Sequence, residues 1–147
     1  MTLPRFHAVD PDTLSVHATA VVVDGAALLL CGPSGSGKSG LAAQMIAGGA
    51  GLIADDLCLV RRGVPPVVAA PPDAPAAMEL RGLGLVPVPL HPAAPLAAVL
   101  VLAPSPARLP EPETIPVLGR DVLLLRHPYR FDAAAKMLIW MAAHRPG

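Results

Sequence analysis

A chain of 147 residues, 53% hydrophobic and formally uncharged at pH 7, has the length for one domain around one core, here expected to span residues 1–147. With only 3% aromatic residues, Ala, Val and Leu must fill that core. The zero net charge and the lack of a basic block argue against nucleic acid or a membrane surface as a partner held by bulk charge.

Met1 to Pro11 reads as a loose lead-in, and its Asp10 argues against a signal peptide. Leu14 to Val23 reads as one strand, Asp24-Gly25 as a hairpin turn, and Ala26 to Cys31 as the antiparallel return. His17, inside the first of these strands, reads on residue chemistry as a packed core or edge side chain. Cys31 and Cys58, the two cysteines, sit in apolar runs and read as small buried hydrophobes in a reduced setting.

Gly32-Pro33-Ser34-Gly35-Ser36-Gly37-Lys38-Ser39 follows, in the pattern G-x-x-x-x-G-K-S of a phosphate-binding P-loop. Its glycines allow successive backbone N–H groups to turn inward as an anion nest. Lys38 supplies a mobile charge for the outer phosphates and Ser39 a hydroxyl for Mg²⁺. Leu41 to Ala47 reads as the helix whose positive end completes the cradle, with Gly48-Gly49 stopping it. An apolar strand before the loop and a helix after it are the context the motif requires.

Gly51 to Val60 is an apolar run interrupted by Asp55 and Asp56. Two adjacent carboxylates in a buried strand are costly without a metal, a cation or solvent. On a strand they would face opposite sides and do different things, unless a turn or bulge lies between them. Downstream of a P-loop they become candidates for metal binding and base chemistry; the alternative is a solvated bend. Arg61-Arg62-Gly63 reads as a turn and Val64 to Ala77, rich in Pro and Ala, as an extended connector.

In Met78 to Leu85, Glu79 and Arg81 alternate with apolar residues. They can point together toward a site or form an exposed ion pair on an edge strand. Gly82 and Gly84 suggest a tight bend. Leu96 to Ala103 reads as a buried strand, and Ile115–Leu118 and Val122–Leu125 as short strands around Gly119-Arg120-Asp121. Phe131 to His144 reads as a final helix with Phe131, Ala135, Leu138, Ile139 and Ala142 on its core face and Lys136 opposite.

Ser15-Val16-His17 with the Val-Val-Asp-Gly strand, the P-loop, Leu52-Ile53-Ala54-Asp55-Asp56, and Glu79-Leu80-Arg81-Gly82-Leu83-Gly84 together resemble the kinase domain of HPr kinase/phosphorylase, in a short, alphaproteobacterial-type form. The resemblance implies an α/β P-loop fold related to phosphoenolpyruvate carboxykinase, a mixed sheet with flanking helices. It implies an ATP- and Mg²⁺-dependent cytoplasmic enzyme that phosphorylates a serine of the phosphocarrier HPr and reverses the reaction by phosphorolysis. It further implies Asp55 as base, with His17 assisting it. Gly32 to Ser39 would bind ATP, and Ser39, Asp56 and Glu79 would hold Mg²⁺. Arg81 would serve phosphorolysis, and the subunits would assemble as a hexamer. A P-loop kinase for a small molecule and a nucleotide-binding sensor without catalysis are the alternatives.

Overall fold

Leu28, Leu29 and Leu30 are fully shielded from solvent, so the strand that carries them is covered on both faces. Which element covers each face fixes where a ligand can approach. The structure is a computed structural model and describes residues 3–105 and 107–144.

The elements run β1 Phe6–Asp10, β2 Thr13–Val16, β3 Thr19–Val23, β4 Ala26–Cys31, α1 Lys38–Ala47, β5 Gly51–Ala54, β6 Cys58–Arg61, β7 Val67–Ala69, β8 Ala77–Leu80, β9 Gly84–Pro87, β10 Ala94–Leu102, β11 Glu113–Val117, β12 Arg120–His127 and α2 Ala133–Ala143. The result is a mixed α/β fold, mostly sheet, with two helices.

Its centre has the order β5-β3-β4-β10-β12-β11. β4, β10 and β12 are mutually parallel. β3 runs antiparallel to both β4 and β5, as the Asp24-Gly25 turn predicts for β3 and β4. The carboxyl ends of β4, β5, β10 and β12 therefore emerge on one rim, together with the start of β3. The first residues of β10 pair instead with β7, and through it the sheet continues as β6, β2 and β1.

The pleat divides the core in two. Leu29 and Cys31 of β4 join Val16, Cys58, Val60 and Val68, so β2, β6 and β7 cover one face. Leu28 and Leu30 point the other way, onto Leu41 and Met45 of α1, Met137 and Met141 of α2, and Met78 of β8. Each fully buried Leu or Met contributes roughly 1.5–3 kcal/mol. Among the described residues no helix is long and apolar enough to cross a membrane.

Four expectations need correction. The lead-in, apart from Met1 and Thr2, which lie outside the described residues, contains β1, paired with β2. Leu14 to Val23 is two strands, because the chain bends at His17-Ala18 and hands β2 and β3 to different partners. The Pro- and Ala-rich connector contains β7, whose Val68 and Ala69 are buried.

The fourth concerns α2. Its core face is Ala133, Ala134, Met137 and Met141. Phe131 is 92% and Ile139 74% exposed. The helix is apolar almost all round, so periodicity alone cannot choose a face; packing against α1 and the sheet decides it. Met137→Ala is expected to cost about 2–5 kcal/mol of stability. Ile139→Ala should change it by less than about 0.5 kcal/mol. Urea unfolding of the two variants checks this, and the opposite ranking would restore the Phe131–Ile139 face.

Candidate functional site

The loop after β4 leaves the sheet at Gly32 and re-enters regular structure at Lys38. Ser36 N–H donates to the Pro33 carbonyl at 3.0 Å, closing the turn. A Cβ on Gly32 would stand 2.6 Å from Ser36 Oγ, so the Ser36 side chain packs into space that the glycine leaves open. Gly37, at φ 105°, caps α1 without any side-chain hydrogen bond, and no acidic residue sits in the first turn. The first-turn amides and the positive end of the helix dipole are thus left for an external anion. Ser36 Oγ is buried with no hydrogen-bond partner among the described residues, an unsatisfied polar group within the loop. Lys38 Nζ donates to the Gly32 carbonyl at 2.7 Å, which draws the ammonium back over the loop.

The second half of the site comes from the bend between β5 and β6. Asp55 continues from the buried end of β5, half-buried itself, and Asp56 takes φ 77°, which turns the chain sharply. The Asp56 carbonyl accepts from Ala18 N–H at 3.2 Å and ties this bend to the β2–β3 break. Both the Ser39 hydroxyl, at 3.0 Å, and the Thr19 hydroxyl, at 2.9 Å, donate to Asp55 Oδ1. No protein donor among the described residues engages Oδ2. Asp55 is therefore clamped through one oxygen with the other free.

Lys38, Ser39, Asp55, Asp56, Glu79 and Arg81 share one cleft of about 750 Å³ with Ser34, Gly35, Gly37, Thr19 and Tyr129. That is ample for a nucleotide triphosphate. Glu79 and Arg81 reach it differently from the expectation of a shared strand face. β8 ends at Leu80, and Arg81-Gly82-Leu83 is the turn into β9. Gly32, Pro33 and Ser36 of the loop do not line the cleft; Pro33 is exposed and the other two are half-buried. Nor does His17, which is exposed at the β2–β3 break instead of packed in the core.

Two lining residues carry no motif. Thr19 is the one buried polar residue among those described, 1% exposed, and its only signal in the sequence is a hydroxyl inside an apolar strand. Tyr129 follows β12 and is the single tyrosine of the chain.

Among the described residues no three His, Cys, Asp or Glu side chains converge into a cage for a metal ion. Mg²⁺ rarely needs one, since it keeps several waters and takes one or two carboxylates plus substrate phosphates. Ser39 gives its hydrogen to Asp55, which leaves its lone pairs for a cation, and Asp56 and Glu79 line the same cleft. The donor set fits Mg²⁺ in that mode.

The thiols stand apart from this chemistry, both free and buried. Burial pushes the Cys31 thiol up to about 12, against a smaller lowering by Lys38. Burial likewise raises that of Cys58, with smaller contributions from Cys31, Asp55 and Asp56. Neither is a thiolate near neutral pH, and both are expected to resist iodoacetamide at pH 8 in the folded protein and to react once it is unfolded in urea. Mass spectrometry checks this; rapid labelling of the native protein would show a more open Cys31.

Residues 11–91, more than half of the chain, match the family model described as HPr Serine kinase C-terminal domain. The chain is 41% identical over 76 residues to the HPr kinase/phosphorylase of Bordetella petrii, a match covering 50% of this chain and 25% of that protein. It is 44% identical over 75 residues to the HPr kinase/phosphorylase of Chlorobium limicola, covering 49% of this chain and 23% of that one. The chain thus matches about a quarter of the length of these relatives. The solved structure of the Hpr(Ser) kinase/phosphatase from Coxiella burnetii superposes with a TM-score of 0.75, covering 88% of this chain and 95% of that one at 21% identity. That likeness establishes a shared fold.

Proposed function

From the premise that this chain belongs to the HPr serine kinase C-terminal domain family, we propose that it is an ATP-dependent serine kinase acting on an HPr-type phosphocarrier protein, and that it also runs the reverse phosphorolysis. The observation that carries this reading is the Asp55 carboxylate, fixed through Oδ1 by Thr19 and Ser39 in the cleft that Lys38 and the P-loop line.

In this reading the loop amides and Lys38 hold the triphosphate. Asp55 Oδ2 takes the proton of the incoming serine hydroxyl as the serine oxygen bonds to the terminal phosphorus and the bond to the β-phosphate oxygen breaks. Phosphoryl transfer asks little covalent work of a protein, so positioning and charge carry most of the rate. Ser39, Asp56 and Glu79 are the proposed Mg²⁺ ligands, and the ion, when bound, offsets phosphate charge. In reverse, an oxygen of inorganic phosphate forms the new P–O bond, pyrophosphate results, and Asp55 returns the proton to the leaving serine oxygen. Arg81 is suited to that second anion by its charge and its place on the cleft wall. His17, exposed beside the bend, is the proposed assistant to Asp55. Two free thiols fit a reducing compartment, and a cytoplasmic, oligomeric enzyme is part of the same reading.

The test is incubation with terminally labelled ATP, Mg²⁺ and a purified HPr-type carrier, then addition of inorganic phosphate. Label should move to a carrier serine and then into pyrophosphate. ATP binding with no transfer to the carrier would leave a sensor or a small-molecule kinase instead.

A further inference from the structure

Strand order sets what lies on each side of the P-loop. The loop follows β4. Asp55 follows β5, two strands away through β3; Tyr129 follows β12, two strands away through β10, on the other side. The carboxylate and the phenol therefore reach the same loop from opposite flanks.

Tyr129 is pressed onto that loop. A Cβ on Gly37 would stand 2.5 Å from its Cγ and Cδ2, and one on Gly40 2.7 Å from its Oη. Two glycines, one before Lys38 and one after Ser39, thus give the ring its seat on the first turn of α1. The residue is nonetheless 43% exposed and lines the cleft. No hydrogen bond holds its hydroxyl among those described, so the ring itself is what the fold has placed there.

A triphosphate whose terminal phosphorus faces Asp55 has to run away from it along the loop. Its sugar and base then emerge on the flank where Tyr129 stands. We infer that Tyr129 is the nucleoside contact of this site, an aromatic surface against which the base of the nucleotide stacks. This goes beyond the phosphate chemistry and rests on the reading of the cleft as an ATP site.

Calorimetric titration of the full chain with two probes, ATP and inorganic tripolyphosphate, each with Mg²⁺, separates base from phosphate recognition. Tyr129→Leu keeps apolar bulk over Gly37 and Gly40 and removes the π-face. It should weaken ATP by roughly 5- to 150-fold, the span of one base–aromatic stack, and leave tripolyphosphate affinity unchanged. Tyr129→Phe should recover most of the loss. If Tyr129→Leu weakens both probes together, the ring is only a brace for the loop and the inference falls; if it weakens neither, the inference falls as well. A wild-type chain that binds tripolyphosphate as tightly as ATP also overturns it while sparing the P-loop reading. A wild-type chain that binds neither probe removes both.

Discussion

Asp55→Asn is expected to lower phosphoryl transfer to the carrier by about 10²–10⁴-fold while ATP binding survives. The choice of Asn follows from the clamp. Asp55 Oδ1 accepts from Thr19 and Ser39 hydroxyls, and an amide oxygen can accept both. The substitution removes the charge and the proton-accepting oxygen without undoing the clamp. Asp55→Ala is a poorer experiment, because it strands the buried Thr19 hydroxyl, a loss of about 1–3 kcal/mol that mixes stability with chemistry. Single-turnover kinetics with labelled ATP, beside a binding titration, reads the two effects separately. Normal transfer by Asp55→Asn would mean that another group takes the proton.

Lys38→Ala is expected to weaken ATP about 10- to 150-fold, the worth of a charged hydrogen bond, and to depress transfer further, since phosphate charge shifts outward as the terminal bond breaks. In the ligand-free arrangement Lys38 Nζ rests 2.7 Å from the Gly32 carbonyl, and that carbonyl can pass to solvent when the side chain goes because Gly32 is only half-buried. The fold should therefore survive the substitution, and unchanged circular dichroism with weakened ATP binding is the predicted combination. Lys38→Arg should not rescue function, because a planar fork cannot take the place of a compact ammonium on a flexible stem. Equal ATP affinity in wild type and Lys38→Ala would remove the lysine from the phosphate site.

The P-loop and the β5–β6 bend are legible in the chain because their determinants are local. Glycines at fixed offsets, a lysine and a serine beside them, and two carboxylates that an apolar strand cannot bury all act within a few residues of themselves. The β3–β4 hairpin is legible for the same reason, through Asp24-Gly25. What could not be read depends on distant partners. β1 and β7 are strands because β2, β6 and the start of β10 offer them edges, against a composition that suggests loop. α2 has apolar residues on nearly every side, and only the positions of α1 and the sheet decide that Met137 goes in and Ile139 stays out. Tyr129 is separated from Gly37 by most of the chain and meets it only because β12 runs parallel to β10, and β10 to β4. Thr19 offered a weak clue, since a hydroxyl in an apolar strand needs a partner, but nothing nearby named Asp55.

The strand directions also leave one edge of the molecule with no part in the chemistry. The turn at Asp24-Gly25 opens on that far edge, a full strand away from the glycine-rich loop after β4, or about 20 Å for the six residues of β4. Gly25 has open space around it, with no atom beyond its two chain neighbours within 4 Å of where a Cβ would project. A handle spliced into this turn with the glycine itself retained, since its φ of 80° disfavours any side chain, would ride on the chain away from the cleft. The neighbouring turn at Leu118-Gly119 is the worse anchor, because the Arg62 guanidinium already holds the Leu118 carbonyl.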